Sequence, residues 1–266
     1  MGQTTFDVKR RAWQAPANHS GVRPTLGVVP RPPQPVVLRN AVVELTPLTA
    51  DDAPDLFAAL DAPGVWAAGY GGGPAGRPAD VGGMRDYITG HLLDAADRVS
   101  WAVRLRAGGG LVGTSSLGDV DLPNESAHLG WTAYTPSVWG TAVNPATKLA
   151  ILTHAFDDCG FGRVRLQTDA LNVRSQAAIA RLGAVREGVL RRHRRRADGT
   201  FRDTVVFSLL AEEWPQVRTG LKARLPRASG GHDDTAAPAA DASAVSPTDA
   251  SAVPTADADA LRDTSA

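Results

Sequence analysis

Apolar side chains recur along this chain at two spacings, near two residues and near three to four, and the switches between them predict its elements. Residues 42–45 read as a short strand that Pro47 ends. Thr49-Ala-Asp-Asp52 then caps a helix carrying Leu56, Phe57 and Leu60 on one side. The run 69–76 holds too many glycines for regular structure and predicts a mobile loop. Met84, Tyr87, Ile88, Leu92 and Leu93 fall at helical spacing within 78–96. Strands follow at 100–105 and 111–117, joined by a turn at Ala107-Gly-Gly-Gly110, and 125–134 is a further strand. A helix over 145–157 and a strand over 164–168 complete a crossover of right-handed type. A helix at 172–182 leads to two strands, 187–194 and 202–209, around the Asp198-Gly199 turn. This order predicts an α/β (α+β) fold: a mixed sheet of about seven strands with helices on both faces, its antiparallel first half joined to a parallel pair.

Composition removes the two ends from that core. Residues 226–266 contain no Phe, Trp or Tyr and hold seven Asp against two Arg. Such a segment cannot bury enough apolar surface to offset its ordering entropy, and it predicts a disordered acidic tail. Residues 1–35 hold six Pro without periodicity and read as a flexible arm. One domain, 36–225, remains. The formal net charge is zero, so an acidic tail implies a basic remainder, and all but Lys9, Lys148 and Lys222 of the basic residues are Arg. The lone Cys159 excludes an intramolecular disulfide and a Cys-based zinc site. His91 and His154 lack partners at metal spacing, so no metal is expected. No apolar run approaches the roughly 18–20 residues of a membrane span, and the N-terminus lacks a signal-peptide pattern. The expectation is a soluble, cytoplasmic protein with no membrane contact.

Candidate chemistry concentrates between Leu129 and Gly183. A strand ending Trp131-Thr132-Ala133 feeds the small-residue turn Ser137-Val-Trp-Gly-Thr-Ala142, and Asn144 offers an N-cap with Pro145 at the first helical position. Free amides and the helix dipole at such a junction suit an anion, which points to a phosphorylated cofactor. The alternative is an ordinary strand-to-helix turn.

Three pieces in this order carry a resemblance to the GCN5-related N-acetyltransferase (GNAT) superfamily, and within it to the ribosomal-protein N-terminal (alanine) acetyltransferases. Ser137-Val-Trp-Gly140-Thr-Ala142 resembles the family's (Gln/Arg)-x-x-Gly-x-(Gly/Ala) loop, with Ser137 in place of the long polar side chain. His128-Leu-Gly-Trp131 stands where Glu-Ile-Gly-Tyr is common. Asn172-x-x-Ser175 through Arg181-Leu-Gly183 resembles the family's Asn-x-x-Ser…Leu-Gly helix. The resemblance covers nearly all of 36–225 and implies a partly splayed sheet and acetyl-coenzyme A as co-substrate. The amides of Val138, Trp139, Gly140, Thr141, Ala142 and Val143 would hold its pyrophosphate, beside Asn144. Its pantetheine arm would lie between strand 125–134 and strand 164–168. A backbone N–H near Trp131 or Thr132 would polarise the thioester, and Asn172 and Ser175 would also touch the cofactor.

The implied reaction is direct attack of a primary amine on the thioester in a ternary complex, which requires a group to accept the amine's proton. His128 is the first candidate and a hydrogen-bonded strand histidine is its bland reading. Glu125, which period-two geometry sends to the opposite face, is the second. Relatives that use a Tyr as acid have one on the fourth helix, but 172–183 has none. Ser175 is the acid candidate there, or else a first-turn serine satisfying a backbone amide. The acceptor would be a protein N-terminus or a small-molecule amine, and a homodimer stays open. Five Arg in the six positions 191–196 favour a solvated hairpin over a nucleic-acid surface. The rival class is a non-catalytic coenzyme A-binding module docking RNA or a protein through that hairpin.

Overall fold

The computed structural model describes residues 29–226, so most of the predicted arm (1–28) and the predicted tail from 227 onward lie outside the described residues. Eight strands form one sheet in the order β1-β2-β3-β4-β5-β6-β8-β7. They are β1 Leu38–Arg39, β2 Val43–Pro47, β3 Val99–Leu105, β4 Leu111–Asp121, β5 Ser126–Tyr134, β6 Arg163–Asp169, β7 Val185–Arg195 and β8 Phe201–Leu210. All neighbours are antiparallel except β5 and β6. The extra strand over the predicted seven is β1, two residues long and too short to leave a period.

Three helices pack on one face: α1 Ala53–Leu60, α2 Pro63–Ala67 and α3 Val81–Tyr87. With Ile88, which follows α3, they bury Leu56, Leu60, Trp66 and Met84 against Ala102 and Ala133 of β3 and β5. On the other face lie α4 Val143–Thr153, α5 Val173–Ala180 and α6 Trp214–Ala223, which bury Ile151, Leu152, Ile179, Trp214 and Leu221 with Val164, Leu166, Val205 and Phe207. Thr49 and Asp52 form a capping box ahead of α1. The predicted helix over 78–96 is shorter: Asp80 caps α3, and the chain continues as one π turn, Ile88–Leu92. Helix α2 is too short to show periodicity. Helix α6 carries its signal in Trp214, Val217 and Leu221, spaced by three and four, and extends the predicted element list.

The glycine run 69–76 is not an open loop. It forms two 3-10 turns, with Gly71 at φ 58° against the Trp66 ring and Gly72 accepting the N–H of Ala197 at 3.1 Å. It therefore ties the helical layer to the tip of the β7–β8 hairpin. Arg31 is also held, its amide donating to Cys159 at 2.9 Å. Among the described residues no helix is long and apolar enough to cross a membrane.

Candidate functional site

Strand β5 is gripped unequally along its two edges. On one side β4 follows it to Tyr134, but β6 pairs with it only at Ser126, Ala127 and His128. Beyond His128 the two parallel strands part, although β5 continues six residues and β6 runs on to Asp169. A β-bulge accompanies the parting: Ser116 faces Gly130 but Thr114 faces Ala133, and Trp131 takes φ 49° to absorb the extra residue. The alternate backbone groups of 129–134 that would have met β6 therefore face an open gap.

The turn after β5 supplies fewer donors than its sequence suggests. Val138, Trp139 and Thr141 spend their amides on Thr135, Pro136 and Val138 carbonyls, and the Thr141 hydroxyl takes the Val143 amide at 3.3 Å. Among the described residues the amides of Gly140, Ala142 and Asn144 have no protein acceptor. Gly140, at φ 78°, has no atom within 4 Å of where a Cβ would stand, so the turn is open to a bulky anion. Asn144 is not the cap. Helix α4 begins two residues earlier than that cap implies, at Val143 with Ala142 at the cap position, so Asn144 and Pro145 fall within the first turn. Pro145 is tolerated there because first-turn amides need no intrahelical partner. The Trp139 ring turns away from the loop, donating to the Tyr134 carbonyl at 3.0 Å under the Arg174 guanidinium.

His128 lies at the fork, buried. Its Nδ1 is 3.2 Å from Asp119 Oδ2, and the same oxygen accepts from Arg165 at 2.9 Å. The hydrogen bond from His128, then the nearby cations, holds Asp119 down at about 2, so this carboxylate is ionised and only accepts. Nδ1 therefore carries the imidazole proton and Nε2 keeps its lone pair. Nε2 is buried without a protein partner, beside Gly130, where a Cβ would come within 2.7 Å of it. Burial pushes the His128 pKa below the ordinary value against the opposing pull of Asp119, so the ring is neutral near pH 7. The Trp131 indole packs on it at 4.7 Å, with Arg98 4.0 Å from the indole centroid.

The other predicted site residues are dispersed. Asn172 caps α5, accepting the Ser175 amide at 2.9 Å and donating to Ala68 at 2.7 Å, so the capping role considered for the Ser175 hydroxyl is already filled. Ser175 is half-buried in the first turn of α5. Glu125 does not reach the gap. It precedes β5 in a turn at φ 50°, its carbonyl taking the amides of Gly162 and Arg163, with the paired residues 126–128 between it and the fork. Cys159 is buried next to His154, and burial raises its thiol to about 11.

Sequence reading misses two residues here. Asp119 becomes a partner of His128 only through the β4–β5 register, which no local pattern reveals. Lys148, on α4, is buried with Nζ 2.8 Å from Thr132 Oγ1 and 3.4 Å from Ser115 Oγ, directly behind the bulge. Burial alone brings its pKa down to about 7. Its signal was a lysine among apolar neighbours on a helix otherwise buried almost all round. No cluster of three metal-ligating side chains exists among the described residues.

Residues 43–185 match the model of the acetyltransferase (GNAT) domain. The Bacillus subtilis (strain 168) protein named "Putative ribosomal N-acetyltransferase YdaF" is 32% identical over 107 residues, 40% of this chain; the match spans 57% of that relative's length. Among solved structures, one described as a "putative acetyltransferase" from T. thermophilus is 36% identical with a TM-score of 0.65, covering 73% of this chain and 98% of its own. A GCN5-related N-acetyltransferase from Brucella melitensis is 25% identical with a TM-score of 0.69, covering 77% and 93%.

Proposed function

Because the chain belongs to the GNAT acetyltransferase family, whose members use acetyl-coenzyme A as co-substrate, we propose that it acetylates a primary amine by direct attack in a ternary complex, with His128 as proton acceptor. The observation that carries this reading is the buried, unpartnered Nε2 lone pair at the fork of β5 and β6. A reacting ammonium must lose a proton before its nitrogen becomes nucleophilic, and a neutral imidazole with one committed nitrogen is suited to take it. The amides of Gly140, Ala142 and Asn144 would hold the pyrophosphate, and the unpaired edge of 129–134 would hold the pantetheine arm. Trp131 and Thr132, at the bulge, would turn a backbone N–H toward the thioester oxygen, with Ala133 continuing that edge. Ser175 would give a proton to the departing thiolate, and Asn172 would set its place. The thioester supplies the activated acetyl group. The amine belongs to a protein N-terminus or a small molecule, and the likeness to a relative named as a ribosomal N-acetyltransferase favours the first.

The rival reading of a non-catalytic module gains nothing from its hairpin, because much of the basic run is occupied within the fold. Arg196 pairs with Asp169 at 2.7 Å, and Arg192 and Arg195 lie over Phe201.

Thiol release from acetyl-coenzyme A with a panel of amines tests the proposal. His128→Ala is expected to lower kcat by about 10²-fold or more and to remove the acidic limb of the pH–rate profile, which in the wild type falls below the ordinary histidine value. An unaltered limb would exclude His128 as base. Gly140→Val places a branched side chain at φ 78° in the anion turn. It is expected to weaken acetyl-coenzyme A binding at least about tenfold by calorimetry, roughly one lost charge-assisted contact. An unchanged Kd would move the cofactor away from this loop.

A further inference from the structure

Helices α1–α3 pack against β3–β5 on one face of the sheet, and on the same face of β6, β8 and β7 Thr204, Ser208 and Asp169 are buried. Strand register places one polar strip on it. His128 is opposite Arg165, Arg165 opposite Ser208, Asp169 opposite Thr204, and Arg194 opposite Arg202. Alternation along β8 keeps Ser208, Thr204 and Arg202 on that face.

The carboxylates of this strip are committed. Asp119 serves His128 and Arg165, Glu187 serves Arg163 and Ser208, and Asp169 serves Arg196. Two guanidinium groups are left over. Arg202 bonds only Thr204 Oγ1, through its Nε at 3.1 Å, and Arg194 has no acid partner among the described residues. Arg202 is partly buried, and desolvation of its cation, with the neighbouring charges of Arg194 and Arg196, outweighs the pull of Asp169, which it shares with Arg196. A cation in that state costs free energy that a ligand anion would recover. Arg194 is brought opposite Arg202 by a bulge after Leu190, with Arg192 at φ 51°. Its charge reaches His128, Asp119 and Arg202.

Resting on the acetyl-transfer reading above, we infer that the acceptor is a primary amine bearing an anionic group, a carboxylate, which Arg194 and Arg202 bind while the amine lies at His128. The same cations favour the neutral form of the amine. Positive charge around the incoming ammonium lowers its pKa and raises the neutral fraction that attacks. An acidic residue near a peptide N-terminus and a small amino acid share this chemistry.

Binding to the dead-end complex separates this inference from turnover. The full-length protein saturated with coenzyme A is titrated with Ala-Glu-Ala amide against Ala-Gln-Ala amide, and with β-alanine against β-alaninamide. The acid is expected to bind at least about tenfold tighter than its amide in one pair. The peptide pair alone would indicate a polypeptide acceptor, and the β-alanine pair alone a small molecule. In Arg202→Gln and in the exposed Arg194→Gln the ratio should fall to near one. Arg186→Gln, which removes a charge opposite the buried Phe207 on the other face, should keep it. Equal affinities for acid and amide in both pairs overturn the inference. So does a ratio that survives both strip variants, or one that Arg186→Gln lowers as much as they do. Selective acid binding without thiol release from acetyl-coenzyme A would sink the acetyl-transfer reading while supporting the anion site.

Discussion

Asp119→Asn is expected to lower kcat by about 10²-fold while acetyl-coenzyme A affinity and Tm stay close to wild type. The change keeps shape and removes only charge and accepting capacity. In the wild type one carboxylate oxygen takes the Nδ1 proton of His128 and a guanidinium N–H of Arg165. An asparagine carries one neutral accepting oxygen and one donating nitrogen, and only one of them can occupy the place of Oδ2, where both donors converge. If the amide nitrogen faces His128, Nδ1 must accept and the ring proton moves to Nε2, which closes the lone pair needed for the amine proton. If the oxygen takes that place it still accepts from both donors, but as an uncharged acceptor it holds the Nδ1 tautomer less firmly. Losing a correctly oriented acid behind a histidine costs up to about 10⁴ in hydrolytic triads, so two orders is a conservative figure for one supporting hydrogen bond.

The pH profile separates orientation from a merely structural role. Asp119 raises the proton affinity of His128 against the effect of burial. Removing its charge should therefore shift the acidic limb to still lower pH, which a general loss of packing would not do. The cofactor turn lies at the opposite end of β5, so binding should be spared. Activity within about threefold of wild type would show that His128 does not depend on this tautomer.

Local pattern carries far in this chain and stops at a definite physical boundary. The strands and helices that own a face, such as β3, β4 and α4, are legible because burial imposes a period on them. His128 is legible as a titratable group on a strand leading to an anion turn. The fork is not, because it is a failure of pairing between β5 and β6, whose sequences look equally strand-like on both sides of it. Nor is the bulge, since Trp131 at φ 49° has no glycine to announce it. Asp119 and Lys148 reach the site through tertiary register alone, and the donor count of the 137–144 turn depends on hydrogen bonds that form only once the turn closes. Glu125 shows the converse: three positions from His128 in sequence, it lies in the turn before β5, away from the gap, because the strand starts after it.

Lys148→Met is expected to remove a steep pH dependence of stability between about pH 7 and 10.5. Lys148 is 6% exposed and donates to Thr132 and Ser115, with no carboxylate within ion-pair distance among the described residues. Burial holds its folded pKa at about 7, whereas the unfolded value is the ordinary 10.5. Between these values the unfolded chain binds more protons than the folded one, so wild-type stability must rise with pH across the window and level off below it. At about 1.4 kcal/mol for each pH unit between the folded and unfolded values, the full span is on the order of a few kcal/mol. Methionine fills similar space without taking a proton, so the variant should lack this slope and be more stable at pH 7 by about 1–3 kcal/mol. Urea unfolding at pH 7 and 9.5 reads both quantities. Tyr70, Tyr87, Tyr134 and Cys159 also titrate abnormally, but they are common to both proteins and cancel in the difference. Parallel pH curves would mean that Lys148 keeps its proton when folded, solvated in a way its burial does not suggest. A stabilised Met variant would instead show that this lysine is retained at a cost to folding, beside the residue that follows Trp131 at the bulge. Local conflict of that kind is expected where structure serves a site rather than the core.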